Sequence, residues 1–340
     1  MNSPRIGLDA RLTRQMSVGM KTYARELAAR LPHVAPEFAF VRFERGRNFG
    51  WEEHVSLPLA MRRARLDLVH FFSLYVPLFS PAPSVITIHD LIHLEFPQQF
   101  KAKVGPYYHT VVRWACARAK RIITDDERTV TDLSERLGVD AGKVRVVPLG
   151  VGEPFLSGAR ALPAPRPYLL YVGNHRQHKD LPTLFAAWSA LARDRDLDCY
   201  LTGPDDFGGT LQQLGTARGS IVALGDVSAE RLASYYAGAV ALVTPARREG
   251  FGLPMLEAMA VGCPVVACVD AVPNVIAPAA LTFGAGNVAE LRAAVESLLA
   301  DEGYRQRVVN VGRDIALSLT WNRCARATAD VYGEVLECCT

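Results

Sequence analysis

The sequence reads as an α/β protein built from two doubly wound, parallel-sheet domains. Three observations support this. Eleven short apolar runs alternate with helical patterns along the whole chain, which is the signature of strand–helix–strand units. The 340 residues suit two domains of ordinary size, each able to bury its own core. The stretch Gly150–Pro167 carries three glycines and four prolines, a composition that breaks regular structure and marks a boundary. The expected division is residues 1–155, residues 156–321, and a last helix within 322–340.

The strand candidates follow from run length and β-branched content. In the first half they are Arg5–Leu8, Phe38–Phe43, Leu68–Phe72, Val85–Ile88, Arg121–Thr124 and Val144–Val147. In the second half they are Tyr168–Val172, Cys199–Thr202, Ile221–Leu224, Val240–Thr244 and Pro264–Cys268. Between Met20 and Leu31, the residues Met20, Tyr23, Leu27 and Leu31 share one face of a helix. Trp51–Leu66 mixes Trp51, Leu57, Leu59, Met61 and Leu66 with Arg62, Arg63 and Arg65. Such a segment is either a surface helix or an amphipathic element able to lie on an anionic membrane, and Pro58 favours the former.

Hydrophobic residues make up 49% and charged residues 21%, so the chain is globular and not disordered. The opening Met-Asn-Ser-Pro-Arg-Ile-Gly-Leu-Asp lacks the long apolar stretch of a signal peptide. No run approaches the ~18 apolar residues that span a bilayer. The sequence therefore reads as cytoplasmic. The seven cysteines, Cys116, Cys199, Cys263, Cys268, Cys324, Cys338 and Cys339, form no paired Cys-x-x-Cys sites, which speaks against structural zinc and for reduced, mostly buried thiols. Net charge is +3 but uneven: residues 1–150 carry 22 Lys/Arg against 15 Asp/Glu, the remainder 16 against 20. A basic first half suits an anionic partner, whether a nucleotide diphosphate, a lipid diphosphate or an anionic membrane. The basic residues are scattered and no nucleic-acid-binding motif occurs, so nucleic acid is not expected.

The most informative stretch runs from Arg248 to Ala260. It lies between two apolar runs, Val240–Thr244 and Pro264–Cys268. Pro254 suits a first helical position and Gly262 a helix end. The amides of Gly250, Phe251, Gly252 and Leu253 then lie just ahead of a helix, which is a natural seat for a phosphate. Glu249 and Glu257 bracket that seat. Carboxylates would repel a bare phosphate but accept hydrogen bonds from hydroxyls. A ligand with a diphosphate in its middle and hydroxyl-rich rings at both ends satisfies both requirements, and a nucleotide sugar is such a ligand. In open parallel sheets ligands bind beyond the carboxyl ends of strands, so other residues there are candidates too. After Tyr168–Val172 comes Gly173-Asn174-His175-Arg176-Gln177-His178-Lys179-Asp180-Leu181, a basic loop that suits phosphate oxygens or is merely solvated. After Val85–Ile88 comes His89-Asp90-Leu91-Ile92-His93, which places His89 at the cleft. His89 and His93 with Asp90 and Glu95 form a competing metal-site pattern, but that spacing needs a helix and His89 ends a strand. Asp9-Ala10-Arg11 follows the first strand, and Ser17-Val18-Gly19-Met20-Lys21 opens a helix. Gly203 and Gly225 follow second-half strands.

The segment Glu249–Glu257, with its Glu-Gly-Phe-Gly-Leu-Pro opening, resembles the Glu-x7-Glu motif of the group 1 retaining glycosyltransferases, family 4, which have the GT-B fold. Gly173–Leu181 resembles the family's Gly-x4-Arg-Lys-Asn-Leu motif, with Lys179 matching the lysine and His178 and Asp180 departing from it. His89-Asp90 resembles the first-domain His-Asp. Ser17–Lys21 resembles the glycine-rich first loop, with Val18 in place of one glycine. Ile122–Glu127 resembles the Val-Ser-Glu turn, with Asp126 where serine is common, and a helix cap is the main reading there.

The resemblance covers the chain from Ile6 to about Leu336. It implies two Rossmann-like domains facing across a cleft, with the last helix returning to the first domain. It also implies transfer of a hexosyl or deoxyhexosyl group, with retention and without metal or cofactor, to an acceptor hydroxyl. Lys179 and Arg176 would hold the donor diphosphate, Glu257 the ribose and Glu249 the donor sugar. Gly19, Gly203, Gly225 and the amides of Gly250–Leu253 would line the donor, and His89 the reacting face. GDP-mannose is the first donor to consider, with UDP- and dTDP-sugars close behind. The acceptor is a glycan, a lipid-linked oligosaccharide or a small molecule. A place at the inner face of the membrane fits such acceptors. A non-catalytic nucleotide-sugar-binding subunit and a same-fold phosphorylase or epimerase are the alternatives. No Gly-x-Gly-x-x-Gly follows a strand, Gly138–Lys143 is one residue short of a P-loop, and Gly-x-Ser-x-Gly is missing. Dehydrogenase, NTPase and hydrolase readings lose ground accordingly.

Overall fold

The computed structural model describes residues 3–11, 17–46, 50–206 and 218–338; Cys339 and the stretch between Arg11 and Ser17 lie outside them. The chain divides into two compact units. One comprises Met1–Gly150 with Thr320–Thr340, the other Val151–Leu319.

The first unit holds strands β1 (Arg5–Asp9), β2 (Ala39–Phe43), β3 (Leu68–Phe71), β4 (Ser84–Thr87), β5 (Arg121–Thr124) and β6 (Val144–Val146). They form one sheet in the order β2-β1-β3-β4-β5-β6, and every pairing is parallel. The second unit holds β7 (Tyr168–Tyr171), β8 (Asp198–Leu201), β9 (Ile221–Ala223), β10 (Ala241–Thr244), β11 (Val265–Cys268) and β12 (Ala280–Phe283). Their order is β12-β11-β10-β7-β8-β9, again all parallel. Both are doubly wound sheets, and the second has the strand order of dinucleotide-binding folds.

All eleven anticipated strands are present within a residue or two of their predicted ends. Of the interior strands, β3, β4, β7, β8, β10 and β11 are buried at every position, which is why they read as mainly apolar runs. The one strand not anticipated is β12. It is an edge strand, Ala-Leu-Thr-Phe, with only Phe283 fully buried, so its sequence carries neither a run nor a clean alternation.

The longer helices are α1 (Val18–Val34), α2 (Leu57–Arg63), α3 (Glu127–Leu137), α4 (Leu181–Leu191), α5 (Ala229–Gly238), α6 (Leu253–Val261), α7 (Val288–Ala300), α8 (Glu302–Ser318) and α9 (Trp321–Glu337). In α1, Tyr23, Leu27 and Leu31 are buried as their spacing predicts, while Met20 is only half-buried. Trp51–Arg63 is helical: Leu57 and Met61 face the core, and Trp51, Val55 and Leu59 are exposed. Among the described residues no helix is long and apolar enough to cross a membrane. Five of the six described cysteines are buried, and all six are free thiols.

Helix α9 belongs to the first unit, where it packs on α1 and β5. Trp321, Cys324, Ala325, Thr328, Val331, Tyr332 and Val335 fall on its buried face. Tyr332 Oη meets His70 Nδ1 at 2.6 Å. At the helix end Glu334 pairs with Arg145 and Arg121, and their guanidinium groups hold its carboxyl below the usual range. The α9 backbone passes so close to Gly150 that a Cβ there would lie 2.1 Å from the Trp321 amide nitrogen. Backbone cannot step aside as a side chain can. Gly150→Ala is therefore expected to destabilise the protein by at least the ~1–3 kcal/mol typical of overpacking, measured by urea denaturation. A variant of unchanged stability would show that α9 is held less closely than described.

Candidate active site

In the second unit the strand order reverses between β7 and β10, which lie side by side. The loops leaving their carboxyl ends therefore diverge to opposite sides and leave a crevice, the place where open α/β sheets bind ligands.

The loop after β7 runs through a tight turn at Gln177–Lys179 to Asp180, which opens α4. Asp180 adopts a left-handed conformation, φ 51° and ψ 42°. Few side chains other than asparagine and aspartate tolerate it readily, so the departure from the family's asparagine costs little. Its carboxylate does not cap α4; it accepts from Arg247 Nε at 3.4 Å. Arg247 N also donates to the His178 carbonyl at 2.9 Å. Arg247 thus ties the loop after β7 to the loop after β10. Between these loops Lys179 Nζ lies 2.5 Å from Glu249 Oε1, with both side chains largely buried. His178 is buried as well, whereas Arg176 is exposed.

The loop after β10 ends at Gly252, whose φ of 71° is left-handed, and α6 begins at Leu253 with Pro254 in its first turn. No side chain caps this helix, so the amides of Gly250, Phe251, Gly252 and Leu253 lead into an open N-terminus with its partial positive charge. Gly262, at φ 92°, closes the helix. One turn into α6, Glu257 accepts from Tyr236 Oη of α5 at 3.3 Å. Burial pushes the Glu257 carboxyl up to about 7, against the opposing effect of the Tyr236 hydrogen bond.

Gly203 and Gly225 follow β8 and β9 and bridge one another, Gly203 N donating to the Gly225 carbonyl at 3.0 Å. Both have left-handed φ, 98° and 67°. The His175 ring sits against Gly203, where a Cβ would come within 3.1 Å of Nε2. His175 bonds the Thr202 carbonyl at 2.9 Å and the Asp206 carboxylate at 2.8 Å. The structure therefore gathers Lys179, Glu249, the Gly250–Leu253 amides and Glu257 around one helix terminus, with Gly203 and Gly225 on neighbouring strand ends. Sequence reasoning singled out these residues but not the partners Tyr236 and Arg247, and it took His175 only as a member of the basic loop, not as a partner of Thr202 and Asp206. Only the strand order makes them neighbours.

In the first unit β4 and β5 are adjacent, Thr87 level with Ile123. The residues just beyond them, His89 and Asp125, meet with Nδ1 and Oδ2 2.7 Å apart. Asp90 bonds the Ile92 amide at 3.0 Å. His93 turns away to Tyr108 and Phe100. Among the described residues no three His, Cys, Asp or Glu side chains form a group able to hold a metal. Asp126 caps α3 through the Arg128 amide. Arg11 is an internal strut, bonded to Asp9, Glu53 and the Tyr75 carbonyl. Gly19 lies in the first turn of α1.

Two family profiles match the chain, "Glycosyltransferase Family 4" over residues 20–152 and "Glycosyl transferases group 1" over residues 166–301. The chain is 28% identical over 265 residues to an O-antigen chain mannosyltransferase B of Escherichia coli, covering 73% of this chain and 70% of that one. It is 30% identical over 241 residues to a D-inositol 3-phosphate glycosyltransferase of Nocardiopsis dassonvillei, covering 63% and 56%. A further relative is an MMP alpha-(1->4)-mannosyltransferase of Mycolicibacterium hassiacum, 26% identical with 82% and 73% covered. In fold the chain is similar to a sucrose-phosphate synthase of Thermosynechococcus elongatus, with a TM-score of 0.76 at 20% identity over 98% of this chain and all of that one. It is also similar to Anabaena HepE in complex with UDP-glucose, TM-score 0.71 at 15% identity, covering 97% and 99%. These neighbours have the GT-B architecture, and the present chain shares it.

The raised pKa of Glu257 has a stability consequence. Its folded value, about 7, lies above the ordinary 4.5 of the unfolded chain. The stability it contributes is complete below pH 4.5 and is lost as pH rises through 7. Glu257→Gln, neutral at every pH, is expected to exceed wild type by about 2–3 kcal/mol at pH 8, with the gap closing as pH falls toward 4.5. A gap independent of pH in urea denaturation contradicts the assignment.

Proposed function

This chain belongs to the group 1, family 4 glycosyltransferases, and we propose that it is a retaining, metal-independent member that moves a hexosyl or deoxyhexosyl group from a nucleoside diphosphate sugar to an acceptor hydroxyl. The observation that carries the reading is the Lys179–Glu249 pair beside the open N-terminus of α6. A partly buried cation, a row of helix-terminal amides and two carboxylates match a diphosphate flanked by two hydroxyl-bearing rings. Mannosyltransferases among the relatives favour mannose from GDP-mannose as the first donor to test. The UDP-glucose complex of a fold neighbour keeps UDP-sugars beside it, and dTDP-sugars complete the panel.

In this reading the second unit takes the nucleotide sugar and the first the acceptor. Lys179 exchanges its carboxylate partner for the donor diphosphate. Glu249, released from Lys179, accepts hydrogen bonds from the donor sugar. Glu257 accepts them from the ribose, and those bonds favour its charged form. As the bond to the anomeric carbon breaks, negative charge develops on the diphosphate, where Lys179, the Gly250–Leu253 amides and Arg176 offset it. Gly203, Gly225 and Gly19 let backbone approach the ligand. His89 is assigned to the reacting sugar by the family resemblance. The acceptor attacks from the side the leaving group departs, and a diphosphate oxygen takes its proton. Glu249 is spent on orientation, so no covalent glycosyl-enzyme forms. The acceptor is a glycan, a lipid-linked oligosaccharide or a small-molecule hydroxyl.

Lys179→Met is expected to lower kcat by 10²-fold or more, the effect of removing one charge-stabilising donor, while the KM for the donor changes less. Release of nucleoside diphosphate measures it, and an unchanged kcat would contradict the role. Proton NMR of the first-formed product should show the anomeric configuration of the donor; an inverted product would sink the retaining reading.

A further inference from the structure

The two faces of the first unit's sheet are covered by helices of different character. Strand alternation separates the faces. His70 and Thr87 point to α9 and α1, where they bond Tyr332 and Tyr23. Phe71 and Ile86 point the other way, into a cluster with Leu57, Met61, Tyr108 and Val112. The helical segments 52–63 and 104–118 therefore cover that second face. The loop after β3 is stitched to both. The Leu78 amide donates to His54 Nδ1 and Tyr107 Oη to the Leu74 carbonyl, each at 3.3 Å. The outer side of this layer is apolar. Trp51, Val55 and Leu59 recur every fourth residue and stay exposed, and so do Leu78, Phe79 and Trp114. Ten large apolar side chains are exposed among the described residues, and these are six of them. Scattered singly they would be ordinary; gathered on one layer they mark an interaction surface.

The same layer is basic. Arg62, Arg63 and Arg65 close its first segment. No Asp or Glu then occurs between Glu95 and Asp125, while Lys101, Lys103, Arg113, Arg118 and Lys120 all do. These eight cations are exposed, and among the described residues none of them pairs with a carboxylate. Against them residues 51–66, 72–83 and 101–120 set only Glu52 and Glu53, and Glu53 is buried on Arg11. The helices of the opposite face are balanced: α1 and α9 together carry five Lys/Arg and four Asp/Glu. We propose that the layer is a docking surface for an anionic phospholipid bilayer. Its apolar side chains enter the headgroup boundary, where tryptophan rings sit well, and the cations around them meet lipid phosphates. The Arg118 guanidinium lies 5.0 Å over the Trp114 ring, so an aromatic and a charge are delivered together. Other occupants fit less well. A second copy docked face to face would set eight cations against eight. Nucleic acid would use the cations but leave Val55, Leu59 and Leu78 without partners.

Vesicle flotation of the whole chain, without nucleotide or acceptor, tests this. Wild type should float with vesicles of three parts phosphatidylcholine to one part phosphatidylglycerol, and about tenfold less with phosphatidylcholine alone. Raising salt from about 0.1 M to about 0.5 M should weaken the binding severalfold, because exposed charges are screened. Leu59→Glu with Phe79→Glu, and separately Lys101→Glu with Lys103→Glu, should each lower affinity for the mixed vesicles about tenfold. All four residues are exposed, so an unchanged melting temperature should accompany the loss. Arg25→Glu with Arg326→Glu makes the same charge change on α1 and α9, and should bind nearly as wild type does. Absence of binding to the mixed vesicles, equal binding to both kinds, or equal loss in this control overturns the proposal. So does a dimer that Phe79→Glu breaks and that ignores vesicles, which assigns the surface to a second copy. If the variants do not fold, the lipid preference of wild type decides. No turnover is needed, so this surface stands or falls apart from the transferase reading.

Discussion

The side-by-side placement of β7 and β10 is the constraint on which the rest of the proposed donor site depends. These strands are far apart in sequence, and the order β12-β11-β10-β7-β8-β9 makes them neighbours whose following loops turn to opposite sides. The charged groups proposed to touch the nucleotide sugar in the second unit, Lys179, Glu249 and Glu257, hang from those two loops or from the helix the second one opens, while Gly203 and Gly225 follow the neighbouring strands β8 and β9. Arg247 ties the loops together through the His178 carbonyl and the Asp180 carboxylate, so the Lys179–Glu249 pair is held by backbone as well as by its own charges.

That pair sets up a competition. Lys179 is largely buried and cannot stand alone without cost, and Glu249 satisfies it in the free protein. A diphosphate carries more negative charge than one carboxylate and brings oxygens that the α6 amides also reach, so it can displace Glu249. The exchange has a selective value. A ligand lacking the diphosphate gains nothing from Lys179, and one lacking the sugar leaves Glu249 without hydroxyls. Glu257 follows a related logic. Burial favours its neutral form in the free protein, whereas hydroxyls that donate to it favour the charged form.

Much of this was legible in the amino-acid sequence, for physical reasons that can be named. Buried interior strands such as Tyr168–Tyr171 and Ala241–Thr244 read as apolar runs because both their faces are covered. Pro254 and Gly262 announced the ends of α6 because the first has no amide to lose and the second tolerates φ 92°. The edge strand Ala280–Phe283 was silent because only one of its residues is fully buried. The partners were silent too. Asp125 lies 36 residues from His89, and Tyr236 lies 21 from Glu257. Such pairings exist only once the strand order is known. Arg11 follows the first strand in sequence, and only the structure shows that it is buried with its Nε, Nη1 and Nη2 donating to Asp9, Glu53 and the Tyr75 carbonyl.

The most direct test of the central claim is titration calorimetry of GDP, UDP and dTDP at pH 7, in two buffers of different ionisation enthalpy, on wild type and Glu257→Gln. One nucleotide should bind. Wild type should release on the order of half a proton more than the variant, because a carboxyl that is about half protonated at pH 7 becomes charged when the ribose hydroxyls donate to it. Absence of binding by all three nucleotides, or proton release identical in the two proteins, would contradict the placement of the nucleotide at the α6 terminus.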